Sequence, residues 1–169
     1  MVVMDQATGY VKGIVGGRGK KTASLSLNRA TDTTRQPGST FKIVSTYAPA
    51  LDSAGMTLAS TQYDAPYYYN EGKGKEVRNA DRSYSGWTSY REGIRRSINI
   101  VAVKTLTDIT PELGATYVQN FGITTLQTEL DSGGNGDVGQ AMALGGLTNG
   151  VKNVELTAAF ATIANGGVY

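Results

Sequence analysis

Residues 37–51 constrain this chain more than any other stretch, because Phe41, Ile43, Val44, Tyr47, Ala48 and Leu51 leave almost no polar side on a helix. A helix of that kind has to be enclosed by other elements, so it belongs at the centre of the fold. Pro37-Gly38 marks a sharp entry into it. Lys42 nevertheless lies inside it, three residues after Ser39, and no other serine in the sequence has a lysine at that spacing. Positions i and i+3 share a helical face, with Cβ atoms roughly 5–6 Å apart. The helix start adds unpaired N–H groups and the positive end of the dipole beside Ser39. One turn of chain therefore presents a nucleophile, a candidate base and a donor for a developing oxyanion.

The choice of base is narrow. The 169 residues contain no histidine and no cysteine, which excludes a Ser-His-Asp triad, a thiol nucleophile and a Cys/His zinc site within the chain. Lysine remains, provided that it is neutral. Bringing it from about 10.4 to about 7 requires roughly 4 kcal/mol of differential interaction, which burial or a neighbouring cation supplies. The alternative for an isolated Ser-x-x-Lys is a first-turn cap followed by a solvated side chain. The apolar surroundings of Lys42 argue against it.

A second polar pair lies downstream. Ser89-Tyr90-Arg91-Glu92 has capping-box spacing and starts a helix that ends near Ser97, and a further helix runs from about Asn99 to Asp108 with Val101, Val103 and Leu106 apolar. Ser97 and Asn99 thus fall at a helix-to-helix junction, where two short polar groups can share a cleft. The alternative is that Asn99 only caps the second helix.

Arg35-Gln36-Pro37-Gly38-Ser39-Thr40-Phe41-Lys42, preceded by Asn28-Arg29-Ala30 and followed by Ser97-Ile98-Asn99, resembles the transpeptidase domain of class A (bifunctional) penicillin-binding proteins. The resemblance covers essentially the whole chain, from an opening strand pair in residues 1–17 to a late helical segment from Ala143-Leu144-Gly145-Gly146 through Asn165-Gly166-Gly167-Val168-Tyr169. Two departures stand out. The family's third motif, Lys-Thr/Ser-Gly, is absent, since Lys21-Thr22-Ala23 and Lys104-Thr105-Leu106 both lack the glycine. Ile43 stands where many relatives carry proline. Ser26-Leu27-Asn28 is a second Ser-x-Asn, but it precedes the nucleophile in a polar connection, so Ser97 is preferred.

The resemblance implies an α/β (α+β) fold, an antiparallel sheet flanked by helices with the Ser39 helix buried centrally. Residues 1–169 then form the N-terminal portion of a transpeptidase domain, with the first two sheet strands and most of the helices. The remaining strands and the third motif are expected on a further segment or a second chain. The implied activity is peptidoglycan D,D-transpeptidation through a serine acyl-enzyme, with β-lactams as inhibitors. Ser39 attacks, Lys42 accepts its proton, Ser97 relays a proton, and Asn99 holds Lys42 and the substrate amide. The implied partners are stem peptides, an upstream glycosyltransferase domain and a membrane anchor, at the extracytoplasmic face of a bacterial membrane. No cofactor or metal is expected. A D,D-carboxypeptidase or β-lactamase on the same fold, and a non-catalytic sensor of β-lactams or wall fragments, are the alternatives.

The rest of the chain sets bounds. Its length suits one domain with a real core, 40% hydrophobic and 18% charged residues describe a folded chain, and a charge of +2 is too slight to argue for nucleic acid. Residues 1–5 and 11–15 read as strands joined by a turn at Gln6-Ala7-Thr8-Gly9. Gly16 to Thr22 imitates a phosphate loop but fails its spacing, which leaves a solvated basic loop. Pro49 predicts a kink or break at Ala48, and Gly55 a stop. Residues 63–86 read as an irregular strand pair about a glycine-rich turn, and the ten tyrosines of the chain read as edge packing with wet hydroxyls in place of stacking on sugars or bases. Trp87 is assigned to core packing and Arg91 to the surface. Thr110-Pro111-Glu112 starts a helix that ends at Gly122 with Leu113, Tyr117 and Phe121 on one face. Asp131-Ser132-Gly133-Gly134-Asn135-Gly136-Asp137 imitates a calcium loop without its ligands, so it reads as a flexible loop. Asn153 caps a last helix closed by Asn165-Gly166-Gly167, and Val168 and Tyr169 enter a new strand.

Overall fold

The computed structural model describes residues 1–134 and 136–168, so Asn135 of the glycine-rich loop and the strand entry at Tyr169 lie outside the described residues. Strands β1 (Val2–Met4) and β2 (Val11–Ile14) form the expected antiparallel hairpin, with a register shift after Val3. A long exposed connection leads to β3 (Thr34–Arg35). The central helical run then occupies residues 38–52: a 3-10 turn Gly38–Thr40, a π-helical stretch Ile43–Tyr47 and helix α1 (Ala48–Asp52). The expected break at Ala48 is a widened turn instead. The Ala48 N–H bonds to the Ile43 carbonyl five residues back, and the helix passes through Pro49, which has no N–H to offer.

Residues 61–89 hold two antiparallel pairs where one irregular pair is expected. Strand β4 (Thr61–Asp64) pairs with β7 (Gly86–Ser89), and between them β5 (Tyr67–Tyr68) pairs with β6 (Glu76–Val77) across the turn Asn70–Gly72. Helix α2 (Tyr90–Arg95) follows, with the Ser89 hydroxyl accepting from the Glu92 N–H, and then α3 (Asn99–Ile109) and α4 (Pro111–Asn120). Strand β8 (Val151–Lys152) pairs with β3, and α5 (Asn153–Ala164) ends at Asn165 with Gly166 and Gly167 in positive-φ conformations. Asn153 is the first helical residue of α5, not its cap.

The core forms where the central run meets α3, α4 and the 3-10 segment Gln140–Leu144. Phe41, Val44 and Ala50 are fully buried beside Ile100, Val101, Val103, Leu106, Val118 and Met142. Burying each such large side chain contributes roughly 1.5–3 kcal/mol. On α4 the buried residues are Gly114, Ala115 and Val118, while Leu113, Tyr117 and Phe121 are only half-buried. The reason is proximity, because a Cβ on Gly114 would stand 2.5 Å from the Ser45 carbonyl oxygen and 2.6 Å from Leu106 Cδ1. Small residues let the helices meet, and the large ones flank the contact.

Three further expectations are corrected. Trp87 is 74% exposed and packs on Tyr63 across the β4–β7 pair at 5.3 Å between ring centroids, because strand alternation turns Thr88 inward and its neighbour outward. Tyr90 is a core residue that meets the buried Tyr47 edge-to-face at 5.8 Å, not an edge tyrosine with a wet hydroxyl. Asp137 is buried and accepts from the backbone N–H groups of Gln127 (2.8 Å) and Thr148 (2.6 Å), so the end of the glycine-rich loop is pinned.

Gly114→Ala is expected to lower the unfolding free energy by about 1–3 kcal/mol in denaturant titration. Gly139→Ala, which adds a methyl where nothing lies within 4 Å, serves as the control and is expected to change it by less than ~0.5 kcal/mol.

Candidate active site

Lys42 is carried into the core by the apolar residues around it and is only 2% exposed. Its ammonium nitrogen reaches the α2–α3 junction, where Nζ donates to the Ser97 carbonyl at 2.6 Å, to Asn99 Oδ1 at 2.6 Å and to Ser97 Oγ at 3.0 Å. Among the described residues no carboxylate pairs with it. Burial therefore acts unopposed and pulls its pKa from the ordinary 10.5 to about 8.

The three acceptors suit both protonation states. An ammonium uses all three of its N–H groups on them. A neutral amine has two N–H groups and a lone pair, and of these partners only the Ser97 hydroxyl has a proton to donate to that lone pair. Lys42 and Ser97 can thus exchange roles as donor and acceptor without leaving their places.

The local backbone explains why Ser97 reaches Lys42 twice. Its N–H closes the end of α2 on Ile94, and its φ of 54° lies in the left-handed region, which few non-glycine residues enter. Both its carbonyl and its hydroxyl then meet Nζ. Asn99 opens α3 but does not cap it, since its Nδ2 donates to the Arg78 carbonyl at 2.8 Å while its Oδ1 faces Lys42. The cap comes from Asn79, whose Oδ1 accepts from the N–H groups of Asn99 (3.1 Å) and Ile100 (3.2 Å). Sequence reasoning missed Asn79 because it lies some twenty residues before the helix that it caps, outside any local capping pattern.

Ser39 sits in the 3-10 turn, exposed, one turn before Lys42. Among the described residues no hydrogen bond joins its hydroxyl to Lys42, whose amine is held by Ser97 and Asn99. The structure thus brings Lys42, Ser97 and Asn99 into direct contact and leaves Ser39 free at the mouth of the turn. Residues 140–151 press against that turn from the other side. The Gln36 side chain accepts from the Leu147 N–H at 2.9 Å and donates to the Leu147 carbonyl. Gly145, in a left-handed conformation, comes so close that a Cβ would stand 2.6 Å from the backbone N and O of Gly38. The same segment was expected to be helical at Gly145 and Gly146, but the 3-10 helix ends at Leu144.

The decoys fall away on position. Ser26 is exposed in the long connection and Asn28 Oδ1 accepts from the Ala30 N–H at 3.1 Å. Lys20 and Lys21 are exposed, and among the described residues no group of acidic side chains could hold a metal ion. A groove of about 790 Å³ lined by Met1, Val15, Arg18, Arg29, Arg35 and Pro37 among others adjoins the Ser39 turn without containing any of the four candidate residues.

The family model for the penicillin binding protein transpeptidase domain matches residues 1–169. Penicillin-binding protein 1A of Clostridium tetani is 35% identical over 98% of the chain, and penicillin-binding protein 1F of Bacillus subtilis is 36% identical over 99%. The chain spans only 21% of the length of each. Among solved structures, penicillin-binding protein 1A from Haemophilus influenzae superposes with a TM-score of 0.77 at 27% identity, over 95% of this chain and 22% of that one. PonA1 from Mycobacterium tuberculosis, in complex with penicillin V, superposes with a TM-score of 0.82 at 21% identity, over 99% of this chain and 43% of that one, a likeness of fold.

Burial of Lys42 has a measurable sign. Between about 8, its folded value, and 10.5, its ordinary one, the unfolded chain binds more protons, so this residue's contribution to stability rises with pH across that window. Relative to Lys42→Met, which cannot titrate, the protein should gain on the order of 3 kcal/mol between pH 7 and pH 10.5 in urea unfolding. A difference that stays flat with pH would show that the amine is not desolvated.

Proposed function

The chain belongs to the penicillin-binding protein transpeptidase family, and from that premise we propose that it is the N-terminal part of a domain that cross-links peptidoglycan stem peptides through an acyl-enzyme on Ser39. The observation that carries the reading is the contact of Lys42 Nζ with Ser97 and Asn99, which holds a desolvated amine one helical turn from an exposed serine.

In this reading neutral Lys42 accepts the Ser39 hydroxyl proton as Oγ attacks the carbonyl carbon of the penultimate D-alanine. The Ser39 N–H, at a helix start where it has no intrahelical acceptor, donates to the oxyanion together with a second N–H from outside residues 1–169. As the tetrahedral intermediate collapses, Ser97 passes a proton to the departing D-alanine amine, and Lys42 reprotonates Ser97. An acceptor amine then attacks the Ser39 ester, loses its proton by the same route in reverse, and forms the cross-link while the Ser39 hydroxyl is restored. A β-lactam enters the first half of this sequence and stops at the acyl-enzyme, because its ring-opened amine stays attached.

The remaining strands of the sheet and the third-motif lysine belong, in this proposal, to a further segment or a second chain. The surface they would cover is the groove beside Pro37 and Arg35, with the exposed apolar residues Met1, Val3, Val11, Ile14 and Val15 of the hairpin. The glycosyltransferase domain and the anchor lie in the rest of the protein, at the extracytoplasmic side. Among the described residues no helix is long and apolar enough to cross a membrane. A hydrolase on the same fold would use Lys42 and Ser97 on water in place of the acceptor amine, and among the described residues no carboxylate bonds to Lys42, Ser97 or Asn99 as a second base.

Incubating the full-length protein with a labelled penicillin, followed by intact-mass analysis and peptide mapping, should give one long-lived adduct on Ser39. Ser39→Ala abolishes it, and Ser97→Ala slows its formation by about 10²–10⁴-fold. A donor stem peptide with an acceptor amine should yield cross-linked product. Hydrolysis alone would move the assignment to a carboxypeptidase or β-lactamase, and an adduct without turnover of any donor would move it to a sensor.

A further inference from the structure

A buried polar chain runs from the β4–β7 pair to the candidate base. Asp64, at the end of β4, is 1% exposed and Asn79 is 6% exposed. Asp64 Oδ1 accepts from Asn79 Nδ2 at 2.8 Å, and its Oδ2 accepts from the Ser85 N–H at 2.9 Å. Asn79 Nδ2 also donates to the Ser83 carbonyl at 2.9 Å, so both of its N–H groups are directed away from α3. Its amide therefore cannot flip without leaving Asp64 facing an oxygen, and Asn79 Oδ1 is held towards the first two N–H groups of α3. The adjacent Arg78 carbonyl takes the Nδ2 of Asn99, which turns Asn99 Oδ1 to Lys42.

We propose that Asn79, oriented by Asp64, is a positioning residue for the acylation step: it fixes the first turn of α3 and, with the Arg78 carbonyl, the face that Asn99 presents to Lys42. The inference rests on the transpeptidase reading and adds two residues to it that, among the described residues, form no hydrogen bond with Ser39 or Lys42. The carboxylate is what makes the arrangement directional. A carboxylate only accepts, so it leaves Asn79 one way round, whereas a second amide in its place would tolerate either. Asp64 being buried, its two donors are what satisfy it, and loss of Asn79 would leave both it and the α3 N-terminus short of a partner.

The charged and titratable neighbours of Asn79 are Asp64, Arg78, which pairs with Glu76 at 2.6 Å, Arg96, which pairs with Asp81 at 3.4 Å, and Arg82 and Tyr84, which line the same concavity. Among the described residues none of their side chains hydrogen-bonds to Lys42, Ser97 or Asn99, so a change in the pH dependence of acylation on altering Asn79 reports on Lys42.

The test measures Ser39 acylation by a fluorescent penicillin in the full-length protein between pH 6 and pH 9.5. Asn79→Ala is expected to slow the acylation step at saturating penicillin by at least about tenfold. It should also move the midpoint of the pH profile towards acid by about half a pH unit, because a displaced Asn99 no longer accepts from the ammonium form. Loss of stability alone would not move that midpoint. Asn79→Asp sets two carboxylates against each other and should be equally slow. The exchanged pair Asn79→Asp with Asp64→Asn restores one acceptor towards α3 and one donor between the two side chains but leaves the Ser83 carbonyl without its donor, so it should recover part of the loss and acylate at least about threefold faster than Asn79→Asp alone. If Asn79→Ala does not fold, the comparison of Asn79→Asp with the exchanged pair carries the test, and equal rates overturn the proposal. An unmodified protein that forms no adduct on Ser39 overturns the transpeptidase reading and this inference with it. An adduct whose rate and midpoint ignore Asn79 overturns the inference alone.

Discussion

Everything in this structure turns on one amine kept out of water. Lys42 is buried along the same run as Phe41 and Val44, and among the described residues its amine is met by two oxygens of Ser97 and one of Asn99. Three neutral acceptors compensate an ammonium less completely than water or a carboxylate would, and the amine's pKa falls to about 8 accordingly. That is the physical compromise the proposed role of Lys42 as a base requires: enough hydrogen bonding to fix the nitrogen, too little charge to hold the proton. In that proposal a carboxylate in place of Asn99 would pin the proton and remove the base.

The scaffold serves this contact from several directions. The widened turn at Ile43–Tyr47 carries the central run through Pro49, Gly114 lets α4 close on Ser45, and Gly145 lets residues 140–151 lie against Gly38. The two glycines mark places where the chain meets a neighbouring backbone at a distance that a side chain would prevent. The Ser39 turn is consequently braced on its core side by packing and at its entry by the Gln36 clamp on Leu147. The hydroxyl of Ser39 itself stays exposed.

What could be read from sequence follows from how far apart the cooperating residues are. Ser39, Lys42 and the apolar run around them lie within one helix, so their spacing predicts both the burial and the candidate chemistry. Ser97 and Asn99 could be placed at a helix junction by local capping patterns, and the resemblance implied that Asn99 faces Lys42, but the asparagine that caps its helix is remote. Asn79, Asp64 and Gln36 act across the fold through bonds spanning 15 to 111 residues, and no local pattern marks such partners. Trp87 misled because large aromatic residues are usually buried. On a two-stranded pair one face has nothing to cover it, and the period-2 alternation leaves Trp87 there. Tyr90 misled in the opposite sense, because its hydroxyl suggested water and its ring meets Tyr47 in the core.

The most direct measurement is an NMR titration of the Lys42 side chain in the uninhibited full-length protein, following the labelled Cε and Nζ resonances from pH 6 to pH 11. A midpoint near 8 that moves when Asn99 is replaced by alanine is the predicted result. A midpoint at or above 10, unmoved by that replacement, would mean that the amine is an ordinary solvated cation, and the account built on it would fail.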